Sequence, residues 1–282
     1  MPALPTPRQV RNLMSLFRPS DPDMAVSPKW LFLRSSSLDN AFIKKARVTS
    51  EARGDLQMVT VNGEAYVWPR DAGLLPLLTI LAELKDARHP HRYLYGKTQI
   101  SPGDVVMDIG ACEGAFSAHA AQLGAETIIV EPSRMMTSVI NALFEARGLE
   151  TPAIINLLLG EDPQDLYFLD NHNNPAASRL VARPELGSYP VSVSTLDDMV
   201  ETLQLERLDF IKCDAEGADN GILKSGRKTL EKYRPKLAIT TYHNRDDYSE
   251  LFSFLKGLGY HLSGKGLLYS AKEFRVMMLH AW

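Results

Sequence analysis

Gly103-Asp104-Val105-Val106-Met107-Asp108-Ile109-Gly110-Ala111-Cys112-Glu113-Gly114 is the stretch that decides the fold. Val105 to Ile109 has the short, nearly uninterrupted apolar character of a strand buried on both faces. It ends next to an acidic residue, turns through a glycine-bearing loop and opens a helix predicted over 115–123. Gly110 and Gly114 admit positive φ and allow a ligand to approach the backbone. The helix N-terminus adds free N–H groups. A dinucleotide site would require G-x-G-x-x-G to seat a pyrophosphate, whereas this loop reads D-x-G-x-x-x-G. An ordinary strand-to-helix turn is the plain alternative.

Outward from this unit the rhythm continues. A second strand is expected at 127–130, a helix at 133–147 stopping at Gly148, and a third strand at 153–159. After a Pro-, Asn- and Asp-rich break at 160–189, strands follow at 208–213 and 237–241 with a helix at 218–230 between them. A helix at 246–258 ends at Gly259, as C-terminal glycines do, and β-like runs at 261–262 and 275–279 close the sequence. Short connections between alternating strands and helices imply parallel strands and an α/β sheet. On the N-terminal side, a helix is expected at 8–17 and a loop at 19–23. Two β runs flank Asn62-Gly63, a strong hairpin signal, and a helix at 74–87 leads into a His/Tyr-rich linker at 89–95. Residues 1–98 therefore read as an N-terminal extension and cap, and 99–282 as the ligand-binding domain.

Glu131 lies just past the second strand, in Val130-Glu131-Pro132, about 20 residues beyond the loop, where an acidic side chain can accept both hydroxyls of a ribose. It could equally serve as a helix N-terminal carboxylate. With the loop, it points to an adenosine-containing ligand. S-adenosylmethionine has no phosphate and suits the single-glycine spacing and leading Asp108 better than a dinucleotide does. A third motif is Lys212-Cys213-Asp214-Ala215-Glu216-Gly217-Ala218-Asp219. Strand alternation puts Lys212 and Asp214 on one face. It leaves Asp214 and Glu216 at the carboxyl end of a strand, where open α/β sheets bind ligands. These carboxylates could orient a cation, act as a base or cap a helix. His243 follows the next strand and is poised near neutral pH either for base catalysis or for a local hydrogen bond. His89, His91 and His172 fall in covering segments without metal-ligand spacing, so no metal is expected.

The string 103–117, Glu131-Pro132, Ser194-Thr195-Leu196-Asp197-Asp198 and 212–219, in that order, resembles the FkbM-type S-adenosylmethionine-dependent methyltransferases over residues 93–261. The resemblance implies a Rossmann-like class I methyltransferase sheet of seven strands, the last antiparallel. It implies methyl transfer from S-adenosylmethionine, with S-adenosylhomocysteine as product, often to a hydroxyl of a small molecule, sugar or natural product. N- or peptide methylation, or a non-catalytic cofactor-binding partner protein, are the alternatives on the same fold. An NAD-dependent oxidoreductase on the same sheet is a rival, against which the missing third glycine of its fingerprint and the later motifs count. Carried onto this sequence, Asp108, Gly110, Ala111, Glu113 and Gly114 would surround the methionine part of the cofactor, and Glu131 with Pro132 would hold the ribose. Asp214 would sit near the reacting end, and the residues' own positions add Glu216 and His243 beside it as catalytic candidates. Two departures stand out: Cys112-Glu113 replaces an Asn and an aliphatic residue, and Thr240 or Thr241 replaces a Glu shortly before His243.

Composition narrows the partners. The 282 residues are 45% hydrophobic and 23% charged, ordinary for a globular chain, with no apolar run long enough to span a bilayer and no secretory h-region. Two cysteines make no disulfide framework, so a reduced, cytoplasmic setting is expected. A net charge of −3 argues against nucleic acid as a bulk partner. The N-terminal helix carries an apolar stripe of Val10, Leu13, Met14 and Phe17 that would suit self-association into a homo-oligomer.

Overall fold

The computed structural model describes residues 6–27, 29–30, 35–173, 175, 178–270 and 273–282. The N-terminal extension begins with α1 (Pro7–Phe17), capped by Thr6 in a capping box with Gln9, and a 3-10 turn at Pro22–Met24. Then come α2 (Ser35–Lys45), β1 (Val48–Arg53), β2 (Leu56–Val61), β3 (Glu64–Pro69) and α3 (Leu75–Lys85). The Asn62-Gly63 turn closes the expected β2–β3 hairpin with positive φ at both residues. An unforeseen third strand, β1, pairs antiparallel with β2; its surface is almost wholly exposed, so it lacks the apolar alternation by which a strand is recognised.

The domain proper is built from β4 (Val105–Ile109), α4 (Ala115–Gln122), β5 (Glu126–Val130), α5 (Arg134–Ala146) and β6 (Ala153–Ile155). The expected strand at 153–159 is divided. Its end forms β7 (Leu158–Leu159), which joins β8 (Asp165–Leu169), β9 (Arg179–Val181) and β10 (Tyr189–Ser194) in a small sheet of order β7-β10-β8-β9. That sheet is the region read as an insertion. Next are α6 (Leu196–Thr202) and β11 (Phe210–Cys213), then α7 (Asp219–Ser225) and α8 (Arg227–Tyr233), where one helix was expected. Gly226 separates them and packs so tightly on Leu196 that an added Cβ would lie 2.4 Å from its Cδ2. The chain ends with β12 (Lys236–Thr240), α9 (Asp247–Gly257) and a hairpin of β13 (Leu262–Ser270) and β14 (Glu273–Ala281), longer than the sequence pattern indicated.

Among the described residues the main sheet has seven strands in the order β13-β14-β12-β11-β4-β5-β6. β4, β5, β6, β11 and β12 run parallel, and β14 is inserted antiparallel between β12 and β13. This is the Rossmann-like methyltransferase arrangement expected from the sequence. Every residue of β4 is buried, because helices cover both faces. Val106 joins the hydrophobic cluster formed with α3, α4, α5 and the N-terminal hairpin, while Val105, Met107 and Ile109 join the opposite cluster with α6 to α9. The first cluster runs without a break from Trp68, Leu77 and Leu81 into Ile140 and Phe144, so extension and sheet share one core.

α1 lies along β14 and packs Leu13, Leu16 and Phe17 against the second cluster, leaving Val10 and Met14 exposed. Arg8 pairs with Glu273 at 2.6 Å, and Asn12 Oδ1 accepts from the Phe274 N–H at 2.6 Å. No described helix is long and apolar enough to cross a membrane.

Candidate active site

The sheet is crossed over at the β4–β11 boundary, and the carboxyl ends of these strands open into a crevice, where α/β sheets accept ligands. A cavity of about 790 Å³ lies there, within the usual range for small-molecule sites. Gly110, Ala111, Cys112 and Glu113 after β4, Glu131 and Pro132 after β5, and Asp214 and Glu216 after β11 all reach it. α3 closes one side through Leu75, Thr79, Ile80 and Glu83. The small sheet contributes Phe168 and Leu180, and the linker contributes His91 and Tyr93.

The loop after β4 is fixed from beneath. Asp108 and Lys212 are register partners on adjacent strands, both essentially without solvent exposure, with Nζ 3.0 Å from Asp108 Oδ1. Ser117 Oγ donates to Asp108 Oδ2 at 2.5 Å. Lys212 Nζ also donates to the Gly110 carbonyl at 2.5 Å, tying the loop to the sheet. Burial opposes the charge on Lys212, but the Asp108 and Asp214 carboxylates outweigh it and hold the ammonium above the ordinary lysine value. Asp108 is therefore a correction to the expected cofactor contacts: its carboxylate faces Lys212 and Ser117 and does not line the cavity. Gly114 is a second. At φ +77 it caps α4, and its Cα packs on Ile140, where a Cβ would stand 2.8 Å from Cγ1. Gly110 does line the cavity, at φ +71, and approaches Asp214 so closely that a Cβ would fall 2.0 Å from that carbonyl oxygen.

Glu131 is 6% exposed and accepts from the Cys112 N–H and the Ser133 N–H, both at 2.9 Å. Burial pushes its carboxyl up to about 7. Glu113 is equally buried, with Oε2 lacking any hydrogen-bond partner, and burial pushes it up to about 7 as well. Burial and these two carboxylates push the Cys112 thiol well up, which disfavours a reactive thiolate. At the other side of the β4 loop, Asp214 Oδ2 accepts from Tyr93 OH at 2.6 Å, and Oδ1 lies 3.2 Å from Thr240 Oγ1.

His243 is the third correction. It does not line the cavity; Nδ1 is 3.4 Å from Asp219 Oδ2 and Nε2 is 3.3 Å from Glu216 Oε2. Burial opposes its protonation, but these carboxylates outweigh it and raise the imidazole to about 10. Outside the cavity and already held cationic by these carboxylates in the free protein, it is not placed to take a proton from a ligand there. Asp219, fully buried, accepts from the Ala215 and Gly217 N–H groups and so shapes the loop that carries Asp214. Thr240, standing where a Glu was anticipated, places its hydroxyl 3.0 Å from Asp219 Oδ1. His89 is buried against Asp39 and His172 is exposed; neither reaches the cavity. Among the described residues, no group of three or more His, Cys, Asp or Glu could hold a metal ion.

The FkbM methyltransferase domain profile matches residues 108–262, from the end of β4 to the start of β13. The chain belongs to the FkbM methyltransferase family. Solved structures with a similar fold include methyltransferase FkbM from Methylobacillus flagellatus KT, with 17% identity and a TM-score of 0.48 over 76% of this chain. The chain spans 56% of the length of that relative. M. capricolum TrmK, in complex with S-adenosyl-homocysteine, matches at 11% identity and a TM-score of 0.41, covering 64% of this chain and 63% of its own. An O-methyltransferase from Bacillus cereus, in complex with the same product, matches at 11% identity and a TM-score of 0.37, covering 63% and 73%. No curated protein sequence matches the chain. The FkbM match begins at Asp108, so Glu83, His91 and Tyr93 reach the cavity from outside it. Nothing in the sequence marked Glu83, since a single carboxylate on an apolar helix has no pattern. The density of His and Tyr in the linker was the signal for the other two.

Proposed function

We propose that this chain uses S-adenosylmethionine to methylate a hydroxyl of a small, largely apolar molecule. One observation carries the reading: a single cavity joins two buried carboxylates, Glu113 and Glu131, to Asp214 across the glycine loop and continues along the apolar face of α3. Five carboxylates reach that cavity, and its lysine is already committed to Asp108 and the loop carbonyls. The other cation of the lining, Arg179, pairs with Glu185 at 2.6 Å, so carboxylates dominate the charge of the wall. S-adenosylmethionine brings an ammonium, a sulfonium and two ribose hydroxyls, and so fits it.

In this reading Glu131 and Pro132 hold the ribose, and Gly110, Ala111 and Glu113 receive the methionine part. Gly110 adopts positive φ beneath Asp214, and the loop it opens runs Ala111 and Cys112 along the cavity wall. Asp214 stands at the reacting end, steadied by Tyr93 and Thr240. Bound cofactor supplies an activated methyl group whose sulfur leaves as a neutral thioether. The protein then works mainly by orientation, which contributes about 7–11 kcal/mol in favourable cases. Leu75 and Ile80 on α3, with Phe168 and Leu180 of the small sheet, give the cavity beyond the loop an apolar lining for the acceptor.

This enclosure favours a small molecule over a peptide, and an apolar body over a free sugar. Incubation with methyl-labelled S-adenosylmethionine and a panel of phenols, hydroxylated polyketides, sugars and amines tests the assignment. Label recovered as an O-methyl ether on an apolar alcohol or phenol supports it. Label on nitrogen, or cofactor binding with no transfer to any class, would favour the amine and non-catalytic alternatives.

A further inference from the structure

We propose that His91, oriented by Glu83, is the base that takes the proton from the acceptor, so that the proton-transfer pair comes from the N-terminal extension and not from the FkbM domain. This rests on the methyltransferase reading above. His91 is 3% exposed and lines the cavity. Nδ1 pairs with Glu83 Oε2 at 2.9 Å, while Nε2 lies 3.7 Å from Asp214 Oδ2 and has no hydrogen-bond partner. A buried imidazole left unsatisfied at the wall of a cavity has capacity for a ligand.

The ring is held in place from several sides. Tyr93 and Tyr242 pack against it with ring centroids at 5.3 and 5.5 Å. The His91 backbone N–H donates to His89 Nδ1 at 3.1 Å, and His89 Nε2 lies 3.0 Å from Asp39 Oδ1. From β13, the buried Lys265 side chain donates to the His89 carbonyl and to the Pro90 carbonyl, fixing the linker immediately before His91. A carboxylate on Nδ1 sets the tautomer that leaves the lone pair on Nε2, the nitrogen on the Asp214 side. His243, by contrast, does not line the cavity, and both its nitrogens face carboxylates, Glu216 and the buried Asp219.

The acceptor O–H proton passes to Nε2 while an oxygen lone pair forms the new O–C bond. The methyl–sulfur bond breaks with its electron pair remaining on sulfur, giving the thioether. His91 finishes as an imidazolium between Glu83 and Asp214. The titratable and charged groups around it are Asp39 from α2, Glu83 from α3, Asp214 after β11, Tyr242 after β12, Lys265 from β13, and His89 and Tyr93 from its own linker. Burial disfavours the cation, but Glu83 and Asp214 outweigh burial and Lys265, holding His91 above the ordinary histidine value in the free protein. A positive charge arriving beside Asp214 drives it back toward the neutral form that a base requires.

That charge distinguishes S-adenosylmethionine from S-adenosylhomocysteine, which lacks it. The test is an NMR pH titration of isotopically labelled histidine in the wild-type protein, free and saturated with each compound, with saturation established calorimetrically. The His91 resonance is assigned through a His91→Gln variant and, independently, through its response to Glu83→Gln. The expected result is a His91 pKa lower by about one pH unit or more with S-adenosylmethionine than with S-adenosylhomocysteine. Glu83→Gln should lower the free-protein value too. Binding of both compounds with the same His91 pKa in each complex would overturn the proposal and leave the methyltransferase reading standing. Binding of neither would overturn both.

Discussion

Replacing Lys212 with Met tests the internal support of the site. The Lys212→Met side chain keeps the volume but removes the charge, leaving Asp108, with no solvent exposure, facing only Ser117. The lost contact is a 3.0 Å ion pair between two side chains 4% and 0% exposed. Removing one partner of such a buried pair costs about 3–5 kcal/mol, because the other charge is left uncompensated. For a chain of this size each kcal/mol lowers Tm by about 2–4 °C, so Lys212→Met should melt about 6–20 °C below the wild type. The Gly110 carbonyl also loses its ammonium donor, so S-adenosylhomocysteine should bind at least about tenfold more weakly, equivalent to one charge-assisted hydrogen bond. The double variant Lys212→Met/Asp108→Asn buries no unpaired charge and should regain most of the stability but not the affinity. Thermal and urea unfolding of the two single variants and the double variant measure the coupling directly. A single variant within about 1 kcal/mol of the wild type, or a double variant as unstable as the sum of the singles, would refute the reasoning.

The raised carboxyls give a pH signature. Glu113 and Glu131 are protonated in the folded ligand-free chain up to about 7 but ionise near 4.5 when unfolded, so they destabilise the fold progressively as pH rises from 4.5 to 7. Unfolding measured across that range should lose part of this slope in Glu113→Gln, and a cationic ligand should bind more tightly at pH 8 than at pH 6, with proton release. His243 has the opposite origin: its folded value near 10 exceeds the ordinary 6.5, so its contribution is full below about 6.5 and is lost as pH rises through 10. His243→Gln should therefore lower Tm at pH 6 and leave it unchanged above pH 10, with methyl transfer retained at neutral pH wherever the fold persists. Gly110→Ala forces a Cβ to 2.0 Å from the Asp214 carbonyl at φ +71, and calorimetry should show destabilisation of about 2–5 kcal/mol together with loss of cofactor binding.

The sheet was legible because β4, β5, β11 and β12 are short apolar runs separated by helices, a pattern that few other arrangements satisfy. Glu131 and Asp214 were legible for the same reason: each ends a recognisable strand, and the topology brings strand ends together. Asp108 and His243 occupy the same kind of position but do other work, because only the register shows that Lys212 is opposite Asp108 and only the α7 start shows that Asp219 is beneath His243. Gly226 broke an expected helix through its contact with Leu196, a tertiary constraint invisible in a local window. β1 was hidden by its exposed, polar surface. Glu83 and His91 became neighbours of Asp214 only through the fold of a linker whose course no periodicity dictates.

Calorimetric titration with S-adenosylhomocysteine, on the wild type and on Glu131→Gln, bears most directly on the cofactor assignment. Glu131→Gln keeps the shape of the side chain and removes its charge. The account predicts binding to the wild-type protein and an affinity at least about tenfold lower in the variant, which retains the fold. Absence of binding to the wild type, or equal affinity in both proteins, would contradict it.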